Sequence, residues 1–143
     1  MNAMKLGIST YCMVNELRDG RMNVLDVLQW AKENECEHVE LVPYGYSLVD
    51  DPALADQVRD KTTELGLVLS NYSLPANFYQ PGLSEFKAEV ERLKTHVDLL
   101  QRLGIQSMRH DVVAFTVPHE ETGAGGHPRK IRPRHLRGMS GRS

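Results

Sequence analysis

Residues 5–115 alternate between short apolar segments and longer amphipathic ones, and this alternation limits the fold more than any other feature. The apolar segments, each typical of a strand, are KLGISTYCM (5–13), HVELVPY (38–44), GLVLSNYSLP (66–75) and GIQSMRHDVVAF (104–115). Successive strands joined by helices run parallel, because a parallel pair needs a crossover connection. The order β-α-β-α-β-α-β therefore predicts an α/β protein with a parallel sheet and helices outside it.

The amphipathic segments carry the start and stop signals of helices. The predicted caps are Asn23 with Asp26 behind it, Asp51 followed by Pro52, and Ser84, and the predicted stops are Gly66 and Gly104. The third helix has the clearest apolar stripe, which consists of Phe86, Val90, Leu93, Val97 and Leu100. We expect His96, at the border of this stripe, to be a packed edge residue.

Three of the strands become polar at equivalent positions. Counting four residues on from the first apolar residues, Cys36, Leu67 and Ile105, reaches Glu40, Asn71 and Arg109 respectively. We therefore expect these three polar groups to occupy equivalent places in three strands. They are the first candidates for a functional site.

Two parallel architectures fit the alternation, a doubly wound sheet and part of a (β/α)₈ barrel. A doubly wound nucleotide-binding protein has a glycine-rich turn after its first strand, but here that turn reads TYCMVNEL, without glycine. The repeat occupies about 29 residues per unit, close to the roughly 31 of a barrel of about 250 residues. The spacing favours a (β/α)₄-like half of a TIM barrel.

The order and spacing of several short motifs carry a family resemblance. LGIST near the start, VEL after a helix, two helix-Leu-Gly-strand junctions and Arg109 five residues past Gly104 resemble the xylose-isomerase-like sugar isomerase/epimerase superfamily. The resemblance covers residues 4–115, about four of that family's eight barrel units. Glu35 is a departure, because it stands where the family commonly has glycine before the second strand.

The resemblance implies isomerisation or epimerisation of a sugar or sugar-like polyol with a divalent ion, commonly Mn²⁺, Mg²⁺ or Co²⁺. Such an ion polarises a carbonyl and its neighbouring hydroxyl while carboxylates move a proton on the adjacent carbon. The family's metal ligands come from later strands, so none is carried over onto this sequence. We expect no catalytic residue and no bound metal from these strands alone.

Barrel chemistry occurs at the carboxyl ends of strands, which defines the candidate substrate-binding residues. These are Glu40, Asn71, Arg109, His110 and Asp111. Glu40 either orients a substrate hydroxyl or forms a structural ion pair, for which Arg109 is a partner. Because adjacent strand residues point to opposite faces, only Arg109 and Asp111 of the last three are expected to share a face. Tyr11 and Tyr72 are expected to pack in the wall.

Composition changes near Phe115 and divides the chain into residues 1–115 and residues 116–143. The first part has a net charge of −6 and the second of +4, with five glycines and three prolines in the second. We expect this basic tail to be disordered, because it has too few apolar residues to offset its ordering entropy. One hypothesis is that a frameshift or truncation produced it. The tail lacks interleaved aromatic residues, so nucleic-acid binding is not expected.

The remaining features concern the environment of the chain. No segment has the pattern of a signal peptide or a membrane span, and Cys12 and Cys36 are expected to be reduced thiols, which favours a cytoplasmic location. Four strands leave two open sheet edges, and a homodimer formed through them would cover them. Two functions stay open: a sugar isomerase/epimerase-like protein, and a non-catalytic half-barrel that binds a partner.

Overall fold

The computed structural model describes residues 3–113 of the 143-residue chain. The strands are β1 (Gly7–Ser9), β2 (His38–Leu41), β3 (Val68–Leu74) and β4 (Met108–His110). The helices are α1 (Val14–Arg18), α2 (Val24–Glu33), α3 (Pro52–Leu65) and α4 (Leu83–Leu103), with a 3₁₀ turn over Thr10–Met13. The expected tail, residues 116–143, lies outside the described residues.

The four strands form one parallel sheet in the order β1-β2-β3-β4. Each strand therefore lies beside its neighbours in sequence, and the described part of the sheet has no reversal of strand order such as a doubly wound fold requires. Helix α3 packs against both α2 and α4. Val39 and Leu41 of β2 are fully buried, whereas Val68 on β3 is 58% exposed. The described residues thus form a curved α/β unit that resembles part of a TIM barrel.

Three helices end in one backbone arrangement, which sets the start of each following strand. A residue with a left-handed conformation follows each of these helices. Gly66 and Gly104 come directly after α3 and α4, with φ of 67° and 71°, and Glu35 comes one position further on after α2, with φ of 62°. The next amide then bonds back into the helix, from Cys36 to Ala31, from Leu67 to Thr62 and from Ile105 to Leu100. These are Schellman motifs. The two predicted glycine stops are confirmed, and Glu35 makes the same turn without a glycine.

Two of the three predicted helix caps are confirmed. Asn23 and Asp26 form a reciprocal capping box, and the Asp51 carboxylate accepts from the Leu54 amide at 3.0 Å. The prediction for Ser84 was wrong, because α4 begins at Leu83 and its cap is Gly82. The Glu85 carboxylate folds back over Gly82, where a side chain would collide with it.

The buried face of α4 differs from the predicted stripe. Leu93 and Leu100 are buried as expected, but Phe86 is 41% exposed and Val97 is 49% exposed. The buried residues of α4 are Leu93, His96, Leu99, Leu100 and Leu103. The helix is therefore rotated, so that part of its apolar stripe lies on a flank that no described element covers.

The first strand is shorter than predicted, because the chain turns after Ser9. The Ser9 hydroxyl accepts from the Tyr11 amide at 3.3 Å and starts the 3₁₀ turn. The buried Thr10 hydroxyl then accepts from the Val42 amide at 2.8 Å and donates to the Val42 carbonyl at 3.1 Å. A side chain thus continues the β1–β2 ladder where the backbone of β1 has left it. The fourth strand is also shorter, at Met108–His110.

Candidate functional site

A row of polar side chains crosses the open face of the sheet at the carboxyl ends of β1, β2 and β3. Ser9 pairs with Glu40, and Glu40 pairs with Asn71, in the backbone register. The Ser9 hydroxyl donates to Glu40 Oε1 at 3.1 Å, and the Asn71 amide donates to Glu40 Oε2 at 3.1 Å. Each carboxylate oxygen is therefore fixed by a different neighbouring strand, which confirms that Glu40 and Asn71 are equivalent in position.

A β-bulge in β3 brings Asn71 onto this face. The register moves from Val39–Leu69 to Glu40–Asn71, so Ser70 is an additional residue. Without it, strict alternation would point Tyr72 into the open face and Asn71 into the helix layer. Instead Asn71 donates to the Ser73 hydroxyl at 3.0 Å, and both lie on the open face.

Arg109 lies further toward the carboxyl edge than counting residues from the strand starts predicted. It pairs with Ser73, and not with Asn71, whose side-chain oxygen instead accepts from the Ser107 hydroxyl at 2.9 Å. The prediction that Arg109 is level with Glu40 and Asn71 was therefore wrong by two residues. The physical reason is the register between β3 and β4, which pairs Tyr72 with Met108 and so sets β4 two residues off the position that counting from Ile105 assumes.

The last three predicted site residues separate as the strand geometry requires. Arg109 and Asp111 lie on the open face, with 3.5 Å between a guanidinium nitrogen and a carboxylate oxygen. His110 lies apart, against the Phe78 ring at a centroid distance of 5.7 Å. Among the described residues Arg109 pairs with Asp111 and makes no ion pair with Glu40.

These side chains surround a cavity of about 260 Å³ at the carboxyl edge of the sheet. Its lining consists of Ser9, Tyr11, Glu40, Val42, Tyr44, Ser73, Leu74, Pro75, Arg109 and Asp111. The Tyr11 and Tyr44 rings meet edge to face at 5.7 Å, and the Arg18 guanidinium lies 5.3 Å from the Tyr44 ring centre. The cavity therefore combines two carboxylates, a guanidinium and two hydroxyls with an aromatic wall.

Seven of the ten lining residues were not among the predicted site residues, and the polar ones of these are Ser9, Tyr11, Tyr44 and Ser73. Ser9 is the last residue of β1, so a search for polar residues at strand ends finds it once β1 is known to end there. Ser73 could be placed on the open face only once the bulge was known. The buried apolar residues of β3 are Leu69, Tyr72 and Leu74, and their spacing of three and then two reflects the bulge in the structure.

Behind the cavity, the helix layer is tied to the sheet by a buried polar pair. The Tyr72 hydroxyl and His96 Nδ1 are 2.8 Å apart, and Tyr72 is fully buried. Burial of the ring, reinforced by the Arg92 guanidinium, lowers the pKa of His96 from its ordinary value of 6.5. Burial also raises the pKa of the Tyr72 phenol. Both groups are therefore neutral near pH 7 and hold α4 against β3, in agreement with the expected packing roles.

The described residues do not by themselves fit the divalent ion that the family resemblance implies. Within residues 3–113, no group of three or more His, Cys, Asp or Glu side chains is arranged to hold a metal. Both oxygens of Glu40 accept from protein donors, and Asp111 pairs with Arg109. We derive no reaction step through a metal at this site. In the same range, no helix is both long and apolar enough to cross a membrane.

The fold and the position of the cavity define the class of protein. The chain is an α/β protein whose parallel sheet, sequential strand order and polar carboxyl edge resemble part of a TIM barrel. No protein-family model matches the sequence, and no curated protein matches it significantly.

Among solved structures, the chain is similar to the probable 3-DHS dehydratase AsbF of Bacillus anthracis, a protein involved in petrobactin synthesis. The match has a TM-score of 0.59 at 19% sequence identity, and it covers 75% of this chain. The chain spans 38% of the length of that protein. At this identity the similarity concerns the fold alone, which resembles part of a TIM barrel.

Proposed function

We propose that residues 3–113 are the first half of a xylose-isomerase-like barrel, and that their polar cavity binds a polyhydroxy ligand of the sugar type. The observation that carries the proposal is the Glu40 carboxylate, which two neighbouring strands hold toward the cavity through Ser9 and Asn71. A carboxylate has about four lone-pair sites, so after these two bonds it still has room to accept from ligand hydroxyls. Preorganisation of this kind lowers the entropy lost on binding.

The other side of the cavity supports the same ligand class. Arg109 offers several N–H donors, and its side chain is 72% exposed, so a carbonyl, carboxylate or phosphate group of a ligand can reach it. Asp111 provides a second set of acceptors. The rings of Tyr11 and Tyr44 give an apolar wall against which the C–H face of a sugar can pack. A ligand with hydroxyls at one end and an acceptor group at the other uses all three features.

The reaction we propose for the complete barrel is isomerisation or epimerisation with a divalent ion as in the family that the sequence resembles. Such an ion would supply Lewis-acid chemistry at a carbonyl group, and residues 3–113 do not provide a set of ligands for it. The described residues bind and orient the ligand: Glu40 accepts from a hydroxyl, and Arg109 holds the far end. They supply neither the ion's ligands nor an identified base, so we propose that this half alone binds without turnover.

The test is a binding titration with a panel of ketoses, ketose phosphates and 3-DHS, with and without Mn²⁺, on the wild-type 143-residue chain and two variants. Glu40→Gln should weaken binding about 10- to 100-fold, because hydrogen bonds to a charged group contribute roughly 1.5–3 kcal/mol. Glu37→Gln is the matched control, since Glu37 lines a different cavity with Lys5 and His38. Equal affinities for the two variants would contradict the proposal.

A second function is favoured by the open edges of the sheet. Both β1 and β4 have a neighbour on one side only within the described sheet. A non-catalytic half-barrel that binds a partner would use these edges. The ketose titration separates the two functions, because a half-barrel that only binds a partner shows no saturable ketose binding that Glu40→Gln weakens.

A further inference from the structure

We infer that two copies of this chain join edge to edge, with β4 of each beside β1 of the other, into a closed eight-stranded parallel barrel. The inference goes beyond the proposed ligand and does not depend on it. It begins from the two edges, β1 at Gly7–Ser9 and β4 at Met108–His110. These strands are equal in length and parallel, so a two-fold rotation about the barrel axis pairs both edges at once.

The exposed apolar side chains of the described residues gather on the surfaces that this closure covers. Met4, Leu6 and Tyr11 lie beside β1, Val68 lies on the open face, and Phe86, Val97, Val112 and Val113 lie on or near the β4 edge. The two other large ones, Tyr79 and Leu83, lie in the β3–α4 loop and at the start of α4. Exposed apolar surface of this extent, along both edges and on the face between them, is typical of a protein–protein interface.

The flank of α4 that lies beside the β4 edge is the one opposite its contact with α3. Arg102 bonds to Asp56 of α3 at 2.7 Å, so Arg102 marks the side of α4 that faces α3. At 100° per residue, Val97 lies about 140° around the helix from Arg102, and Phe86 lies about 20° from Val97. Both residues therefore lie on the flank that points away from α3, toward the open edge of the sheet.

The corresponding flank of α2 lies at the other edge, and its charges are opposite. On α4, Arg102 lies to one side of the buried stripe. Trp30 lies to the same side of the buried stripe of α2, and it is partly exposed. Asp26 and Glu33 lie about 40° and 60° from Trp30. On α4, Lys87 lies about 80° from Val97, and Lys94, about 60° from Val97, is already paired with Glu91 at 2.7 Å. Closure therefore places an apolar strip with Lys87 at its border beside a tryptophan bordered by carboxylates, and this complementarity favours a second copy as the occupant.

Closure would also complete the ligand site. Arg109 is on the edge strand β4, and Ser9 is on the edge strand β1. In the closed barrel Arg109 of one copy lies next to Ser9 and Tyr11 of the other, so each cavity is walled by both subunits.

A backbone variant tests the pairing directly. The Asp111 amide bonds to the Leu74 carbonyl, and the Ser107 carbonyl accepts from the Tyr72 amide, so the odd-numbered residues of β4 bond to β3. By alternation the His110 N–H points to the open edge. His110→Pro removes this donor and is tolerated at an unpaired edge, whereas His110→Ala keeps it.

The measurement is sedimentation velocity of the full 143-residue chain at micromolar concentration. We expect the wild type and His110→Ala to sediment at twice the chain mass of 16.2 kDa, and His110→Pro at the chain mass with unchanged far-UV circular dichroism. A wild-type monomer, a series of higher oligomers, or equal dimerisation of the two variants would each overturn the inference. If His110→Pro fails to fold, Val97→Asp on the α4 flank replaces it, with the same expected and contradicting results.

Discussion

At the scale of single residues, the most informative position is Glu35, which adopts a conformation that favours glycine. Its φ of 62° matches those of Gly66 and Gly104, and the Schellman bonds around it are intact, with Glu35 N–H donating to the Lys32 carbonyl at 3.2 Å. A side chain in the left-handed region costs roughly 1–2 kcal/mol. Glu35 therefore reduces stability at a helix end that the rest of the motif requires.

We predict that Glu35→Gly raises the free energy of unfolding by about 1 kcal/mol, since glycine relieves the strain but adds entropy to the unfolded chain. Urea unfolding measures it. Glu35→Ala should give no comparable gain, because alanine has the same backbone preference as glutamate. Glu33→Gly, inside α2, should lower stability. A stability loss in Glu35→Gly would show that the Glu35 side chain contributes more than its backbone costs.

His96 gives a prediction about pH. Its pKa is lowered in the folded state by burial and by Arg92, so the unfolded chain binds more protons as the pH falls. Stability is then fully present above the ordinary histidine pKa of 6.5 and decreases as the pH falls below it. Chemical unfolding at a series of pH values between 7.5 and 5 should show this loss.

The control for His96 is a pair of substitutions. His96→Gln should flatten the pH dependence in this range, although it lowers stability at pH 7 by weakening the bond to Tyr72. His110→Gln, at an exposed position against Phe78, should leave the dependence unchanged. The same slope in wild type and His96→Gln would assign the dependence to another group.

At the scale of elements, the sheet is held in place by side chains that act where the backbone ladder stops. The Thr10 hydroxyl serves both the amide and the carbonyl of Val42, and it lies 3.1 Å from the Tyr46 hydroxyl. Burial raises the pKa of the Tyr46 phenol, so this phenol is protonated at neutral pH. The β1–β2 junction above the cavity therefore depends on one small side chain.

We predict that Thr10→Val lowers the free energy of unfolding by about 1–3 kcal/mol, because it leaves the buried Val42 amide without a partner. Thr10→Ser is the matched control, since it keeps the hydroxyl and removes a methyl group at a cost of about 1 kcal/mol. Denaturant unfolding of the two variants decides the point. If Thr10→Ser is the less stable of the two, packing of the methyl group outweighs the hydrogen bonds.

Sequence patterns determined most elements, and their failures have local causes. The helix stops at Gly66 and Gly104 could be predicted because tolerance of the left-handed backbone conformation is a property of glycine itself. The equivalence of Glu40 and Asn71 was predicted correctly by counting from the strand starts. The same counting misplaced Arg109, because the register between β3 and β4 is set by pairing between the strands and not by the distance from Gly104. The buried face of α4 was not predicted either, since an apolar stripe does not say which part of it a neighbour covers.

At the scale of the whole molecule, the described residues resemble part of a TIM barrel, with one layer of helices, one open polar face and an edge strand on each side of the described sheet. The helix layer buries Val39, Leu41 and Tyr72, while the opposite face carries Glu40 and Asn71. This division explains why a polar row with internal hydrogen bonds is stable here. The ligand proposal and the edge-pairing inference share Ser9, Tyr11 and Arg109, and they are tested separately, by titration and by sedimentation.

The most direct test of the proposed function is a ¹⁵N-resolved NMR titration of the 143-residue chain with the tightest-binding ketose of the panel. The account predicts shift changes at the amides of Ser9, Glu40, Ser73, Arg109 and Asp111, at the carboxyl edge of the sheet. Shift changes confined to Lys5, Glu37 and Val68, at the opposite edge, or the absence of any saturable change across the panel, would contradict it.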